Sequence, residues 1–189
     1  MKISEIITIQ ELPQPSDNIK KYIYDNTTVH HHDTIYYNNN IDGHLVVASK
    51  TDTELLGYAV CVIKNNLKYT TIQNYIVPQN LYSWANDHGK TALSIIKSVI
   101  NISNVPVLSD LELSPSAKKF LERSIDSNQL RAKTFNLTNG DVTAYDPSIW
   151  KHDDTYRVLI MNEHGTNPHT SKFPIYEGTW NWSQLAPYL

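Results

Sequence analysis

Three consecutive histidines and an aspartate, His30 to Asp33, form a group of metal-ligating residue types. In an extended segment His30 and His32 share one face, and two imidazoles with the carboxylate of Asp33 could hold zinc. The chain has no second group of ligands at zinc-site spacing. An exposed polar loop is therefore the favoured interpretation, and no metal is predicted.

Nucleophilic chemistry has little support in the sequence. Cys61, the single cysteine, lies in an apolar run with no acidic or histidine neighbour. This placement is typical of a small buried hydrophobic residue and not of a reactive thiolate. The chain contains no Gly-x-Ser-x-Gly elbow, no Walker loop and no Gly-x-Gly-x-x-Gly phosphate loop. The sequence therefore indicates no serine triad and no nucleotide-binding loop.

A glycine, Gly89, opens a segment whose apolar residues recur at helical spacing, which predicts a helix over 89–102. A helix N-terminus offers unpaired N–H groups and the positive end of the helix dipole, so a phosphate could bind there. Gly89 would let the backbone approach the phosphate closely, and Lys90 would add charge. An ordinary helix start is the alternative interpretation.

Two carboxylates, Asp110 and Glu112, follow a short apolar strand predicted at 105–109. A carboxylate can act as a general acid or base. An acid–base role is therefore one interpretation, and the alternative is a pair on a solvated loop.

The elements that must position these groups follow from periodicity and turn residues. Strands are predicted at 2–9, 43–49, 55–63, 68–77, 105–109, 131–137, 142–145 and 156–161. Helices are predicted at 17–25, 89–102 and 114–123, with Ser16 or Asp17 and then Ser114 as N-caps. Segment 26–42 is expected to be a long loop or irregular helix, and Pro78 is expected to end its strand. The strands at 43–49, 55–63 and 68–77 should form an antiparallel meander.

Composition limits the class of protein. The chain has 189 residues, a formal net charge of −3 and 40% hydrophobic residues, which favours one folded domain with a sizeable core. The near-neutral balance makes nucleic-acid binding unlikely as a function. No run approaches 18 apolar residues, so no membrane span is expected. The N-terminal segment is interpreted as a strand and not a signal peptide, which favours a cytoplasmic location.

The order of predicted elements resembles the GNAT superfamily of N-acetyltransferases over roughly 2–145. The segment Asn86-Asp-His-Gly-Lys-Thr91 is similar to the family's Gln/Arg-x-x-Gly-x-Gly/Ala motif, with its glycine at Gly89. The segment Ser114-Pro-Ser-Ala-Lys-Lys-Phe-Leu121 is similar to Asn-x-x-Ala-x-x-x-Tyr, with Ala117 in phase. The resemblance implies an α/β (α+β) fold with a mixed, mainly antiparallel sheet. It implies a GNAT-like domain at 1–161 and an aromatic C-terminal extension at 162–189, packed on the domain or on a partner.

The resemblance also implies a cofactor, acetyl-CoA or another acyl-CoA, whose acyl group moves to an amine acceptor of unknown identity. The residues expected to hold the pyrophosphate are Asp87, His88, Gly89, Lys90 and Thr91. A bulge in the third meander strand is expected to take the pantetheine arm at Asn74, Tyr75, Ile76 and Val77. Asp110 or Glu112 would be the catalytic base.

The sequence departs from the family at Leu121, where the usual general-acid tyrosine would stand. The alternative function is therefore a catalytically inactive GNAT-like bacteriophage protein, acting as a virion component or as an inhibitor of a host protein. Short phage proteins of this kind resemble the chain around 108–114. The aromatic residues Trp180, Trp182 and Tyr188 could then contact a protein partner. The expected location is the cytoplasm of a bacterial host or a virion.

Overall fold

The structure, a computed structural model, describes residues 15–41, 44–65, 72–85, 87–109, 113–150 and 152–161. These ranges hold four helices and nine strands. The helices are α1 (Asp17–Asn26), α2 (Lys90–Ser103), α3 (Pro115–Asp126) and α4 (Pro147–Trp150). The strands are β1 (Val29–His32), β2 (Ile35–Ile41), β3 (His44–Lys50), β4 (Leu55–Asn65), β5 (Asn74–Ser83), β6 (Val107–Leu108), β7 (Arg131–Asn136), β8 (Val142–Ala144) and β9 (Tyr156–Met161).

All nine strands form one sheet in the order β1-β2-β3-β4-β5-β6-β9-β7-β8. Every neighbouring pair is antiparallel except β5 and β6, which run parallel. Strand β6 has only two residues and joins the β1–β5 meander to β9, β7 and β8. The expected α+β class with a mixed, mainly antiparallel sheet is confirmed, and so is the unbroken β3–β4–β5 meander.

Both faces of the central strands are covered, which explains why every residue of β3 is buried. Alternate residues point to opposite faces of a strand. Val47 of β3 packs with Ile95 of α2, whereas Val46 packs with Ile23 of α1. The sheet therefore has an α2 face and an α1 face, and a candidate site can be assigned to one or the other.

The helix starts that the sequence predicts are confirmed. The Ser16 hydroxyl accepts a hydrogen bond from the backbone N–H of Ile19 at 3.3 Å. The Ser114 hydroxyl accepts one from the N–H of Ala117 at 3.2 Å, with proline at the first helical turn. Each side chain satisfies a donor that has no partner within its own helix.

The prediction of a loop or irregular helix at 26–42 is wrong, because this segment forms the hairpin of β1 and β2. All four β1 residues are exposed, and Val29 keeps 47% of its surface accessible. Strand β2 buries Ile35 and pairs with β3 from Ile35 to Ile41. Backbone pairing with β3 thus holds a strand whose side chains show little apolar alternation.

The prediction that Pro78 ends its strand is also wrong, since β5 continues to Ser83. Cys61 pairs with Pro78 and Val60 pairs with Asn80, so Gln79 is an extra residue in a β-bulge. A bulge tolerates proline because the ladder is locally interrupted there. The strand also begins later than predicted, at Asn74, while the predicted start at 68 lies outside the described residues.

Two further expectations lie outside the described residues: the strand at 2–9 and the packing of the extension at 162–189. The short helix α4 was not predicted. The paired strands around Asn139-Gly140 and the strand at 156–161 are confirmed. No helix in the described ranges is long and apolar enough to cross a membrane.

Candidate functional site

Strands β5 and β6 pair at a single position. They pair only at Ile76 and Val107, where the Ile76 N–H donates to the Pro106 carbonyl at 2.9 Å. Strand β5 then runs on to Ser83, whereas β6 ends at Leu108. Among the described residues, no strand pairs with 77–83 on this side of β5. The backbone groups of 77–83 on this side of β5 therefore lack a strand partner in the described ranges.

Strand β5 carries a bulge in its pairing with β4, but the bulge lies at Gln79, and its expected position within Asn74–Val77 is wrong. The predicted pantetheine residues have structural surroundings instead. Asn74 and Ile76 are buried, and Ile76 belongs to the main core. Tyr75 packs against the cluster formed by Ile72, Leu108, Phe135 and Leu159. Of the four, the half-buried Val77 is the residue that follows the β5–β6 pair.

The predicted pyrophosphate residues come together at the start of α2, where Asp87 is the central group. Its Oδ1 accepts from the Gly89 N–H at 3.1 Å. Its Oδ2 accepts from the Thr91 N–H at 2.8 Å and from the Thr91 hydroxyl at 2.7 Å. A carboxylate is favoured here by the helix dipole for the same reason that a phosphate would be. The chain therefore supplies its own anion to this helix end.

Gly89 is required at this point by the backbone and by packing. Its φ of 88° lies in the left-handed region that side chains rarely adopt. A Cβ at this position would also lie 3.1 Å from two ring carbons of Phe120 in α3. The neighbouring side chains of His88 and Lys90 are exposed. The glycine thus has a structural reason to be present, and the two exposed side chains remain accessible to a ligand.

The next group comprises the predicted catalytic base and the position of the family's general acid. Asp110 and Glu112 lie outside the described residues, immediately beyond β6 in the sequence. Leu121 is buried in the main core, as its apolar character requires. Burial raises the pKa of the Cys61 thiol, which agrees with the sequence interpretation of an unreactive cysteine.

The histidine run forms contacts of its own on β1. His32 Nδ1 lies 2.7 Å from a carboxylate oxygen of Asp33, and His30 Nε2 lies 2.5 Å from the Asp33 carbonyl oxygen. Both imidazoles and the carboxylate are exposed. Within the described ranges, no three His, Cys, Asp or Glu side chains are grouped so that they could hold a metal ion.

A second candidate site, which the sequence reasoning missed, lies on the α1 face around Lys50. Its residues line an open cavity of about 320 Å³: Tyr24, Thr27, Thr28, Tyr36, Lys50, Thr51 and Asp52. Only 7% of the Lys50 surface is accessible, and its Nζ donates to the Thr27 carbonyl at 2.6 Å. The available signal was a lysine directly after the strand predicted at 43–49, but its burial depends on contacts with Tyr24 and Thr27.

Two aromatic rings complete the surroundings of this lysine. Lys50 Nζ lies 4.8 Å from the ring centre of Tyr24 and 4.9 Å from that of Tyr36. Both distances are within the range of cation–π attraction. Burial lowers the pKa of the ammonium group. The described structure therefore contains a charged donor that is removed from water but not paired with an acid.

No protein-family model, no curated protein and no solved structure matches the chain.

Proposed function

We propose that the chain is a GNAT-like N-acyltransferase, which moves an acyl group from acetyl-CoA or another acyl-CoA to an amine. The observation that carries this proposal is the stretch of β5 beyond its pairing with β6. The backbone of 77–83 has no strand partner on its β6 side within the described ranges. An extended pantetheine arm carries amides that can pair with such a strand edge, as a further strand would.

The start of α2 would receive the pyrophosphate, because β5 leads from Val77 through Ser83 to this helix end. The exposed Lys90 would add a cation, and the helix dipole would favour the negative charge. The carboxylate of Asp87 competes for the same donors, since it accepts from Gly89 and Thr91. Binding of the diphosphate therefore requires the Asp87 side chain to turn away.

In the proposed reaction the amine attacks the thioester carbonyl, a C–N bond forms and the C–S bond breaks. The ammonium proton passes to a carboxylate, for which Asp110 and Glu112 are the candidates because they follow β6 directly. The thiolate leaves as coenzyme A and takes up a proton from solvent. This last step replaces the general acid that a tyrosine at position 121 would supply.

Isothermal titration calorimetry with acetyl-CoA tests the proposal. We expect acetyl-CoA to bind and adenosine 3′-phosphate 5′-diphosphate, which keeps the diphosphate but lacks the pantetheine arm, to bind clearly more weakly. Asp110→Asn or Glu112→Gln should keep the affinity and reduce acyl transfer at least tenfold. Asp126→Asn, which removes an exposed carboxylate at the end of α3, is the matched control. Absence of binding at millimolar acetyl-CoA by the folded protein rejects the proposal.

A second candidate is an inactive GNAT-like phage protein that binds a protein partner, as a virion component or a host inhibitor. Two observations favour it: Leu121 is part of the core, and Asp87 already fills the anion position on α2. Deletion of 162–189, followed by co-purification from the native source, distinguishes the candidates. Loss of a specific partner from a folded truncated chain supports the binding protein. Continued acyl transfer with no partner for the intact chain supports the enzyme.

A further inference from the structure

The Lys50 cavity lies on the opposite face of the sheet from α2 and is separate from the proposed coenzyme site. Lysine is rarely buried without an ionic partner, because an ammonium group loses much of its solvation there. No carboxylate in the described ranges lies within 4.0 Å of Lys50 Nζ. Its one hydrogen bond to described residues is that to the Thr27 carbonyl. An ammonium group carries three N–H donors, so the remaining donors can serve a ligand.

The cavity walls are held in place by contacts within the chain. The Tyr24 hydroxyl donates to the Thr51 carbonyl at 2.7 Å, which fixes the ring beside Lys50. The Thr27 hydroxyl donates to the Ile23 carbonyl at 2.5 Å, so the turn that accepts from Lys50 is anchored to α1. A site whose walls are already ordered loses less entropy when a ligand binds.

The charges in the cavity indicate what kind of ligand fits. Lys50 is the single cation among the lining residues, and Asp52 is the single acid. Asp52 is exposed, and its charge contributes to a raised pKa of Tyr24, after burial itself. A dianionic phosphate would meet one cation and an opposing carboxylate. A ligand with one negative charge matches the single ammonium and lies against two aromatic faces.

We propose that this cavity binds a small organic carboxylate, whose carboxylate group accepts from Lys50 and whose planar apolar body contacts the rings of Tyr24 and Tyr36. The cavity volume of about 320 Å³ suits a metabolite-sized ligand. Thr28 and Thr51 add hydroxyl-bearing side chains to the cavity wall.

Calorimetric titrations with benzoate and with benzamide test the ligand class. Benzamide has nearly the same shape as benzoate but carries no charge. We expect millimolar affinity for benzoate and at least tenfold weaker binding for benzamide and for inorganic phosphate. Equal binding of benzoate and benzamide, tighter binding of phosphate, or no benzoate binding at 20 mM (about ten times the expected range) overturns the proposal.

Lys50→Met tests the residue, with Lys21→Met as the matched control. Lys21 lies on α1 and pairs with Asp25 on the exposed side of that helix. Benzoate affinity should fall at least tenfold in Lys50→Met and stay within about twofold in Lys21→Met. Unchanged affinity in Lys50→Met, or an equal loss in both variants, contradicts the assignment.

Two further measurements do not depend on how well Lys50→Met folds. In the unmodified chain, benzoate should shift the backbone amide NMR signals of Thr28 and Thr51, whereas Gly89 and Thr91 should not respond. Shifts confined to the α2 start contradict the proposal. Adding saturating benzoate should leave the affinity for acetyl-CoA unchanged. Loss of benzoate binding at the Lys50 cavity is therefore distinguishable from loss of acetyl-CoA binding at the proposed coenzyme site.

Discussion

The start of α2 and the Lys50 cavity both contain hydrogen-bond donors that suit an anion, but the described residues supply an anion to only one of them. At α2 the carboxylate of Asp87 accepts from two backbone N–H groups and one hydroxyl. At the cavity the described chain gives Lys50 one carbonyl and two aromatic faces. A helix end that carries its own anion gains stability, whereas a buried cation without one reduces stability, and under the proposal a bound carboxylate would restore it.

The largest expected effect is that of Gly89→Ala on folding. The variant forces a side chain into the left-handed region and against Phe120, so the free energy of unfolding should fall by about 2–4 kcal/mol. Urea unfolding measures it. Gly140→Ala is the control, because Gly140 also has a positive φ but lies in the turn between β7 and β8 and not at a helix start. An equal loss in both variants would show that packing against Phe120 contributes nothing.

The next effect concerns the anion that the chain supplies to α2. Asp87→Ala should lower the free energy of unfolding by about 1–2 kcal/mol, because three donors lose their acceptor. Asp87→Asn should lose less, since its amide oxygen can still accept from the two Thr91 donors, although its NH2 group cannot accept from Gly89. Under the proposed function, Asp87→Asn should also bind acetyl-CoA more tightly, because a like charge is removed. Equal destabilisation by alanine and asparagine would contradict the capping role.

The burial of Lys50 in the cavity predicts a pH-dependent change in the free energy of unfolding. Burial lowers the pKa of Lys50 in the folded chain below its unfolded value. The unfolded chain therefore binds more protons between the two pKa values, and stability rises with pH there. Lys50→Met should remove this rise, which solvent screening keeps below about 1 kcal/mol. Urea midpoints from pH 7 to pH 10.5 measure it, and a rise that persists in Lys50→Met would assign it to another group.

The smallest expected effect is a fall in stability as the pH rises, and it comes from Tyr58 on the α1 face of the sheet. Burial, with the nearby Tyr82, raises the pKa of Tyr58 well above 10. The unfolded tyrosine ionises first, so stability falls as the pH rises past 10. Tyr58→Phe should reduce that fall by roughly half a kcal/mol. Val60→Ala, in the same cluster, is the control and should lower the urea midpoint equally at pH 8 and pH 10.5.

Much of the fold was predictable because local chemistry decides it. Ser114 followed by a proline fixes the start of α3, and apolar periodicity fixes α2. The β1–β2 hairpin was missed because its polar side chains carry no alternation, and pairing with β3 holds it. The strand end at Pro78 was missed because the bulge at Gln79 depends on the partner strand β4.

The candidate sites depend on contacts between distant segments even more than the strand ends do. The sequence located the α2 start through Gly89 but did not indicate that Asp87 would accept from its donors. In the sequence, Lys50 directly follows the strand predicted at 43–49. Its burial arises only when α1 and β2 bring Tyr24 and Tyr36 against it. Sites built from distant segments in this way leave no local pattern for sequence reasoning to read.

The two-residue strand β6 has a consequence for the order of folding. Hairpins such as β3–β4 close short loops, which costs little chain entropy and is fast. Val107 of β6 must instead meet Ile76 and Ile160, which are remote along the chain. We therefore expect the β1–β5 meander to form as an early cooperative unit. The β9–β7–β8 portion would dock later through β6, and amide exchange at Val107 would report that final step.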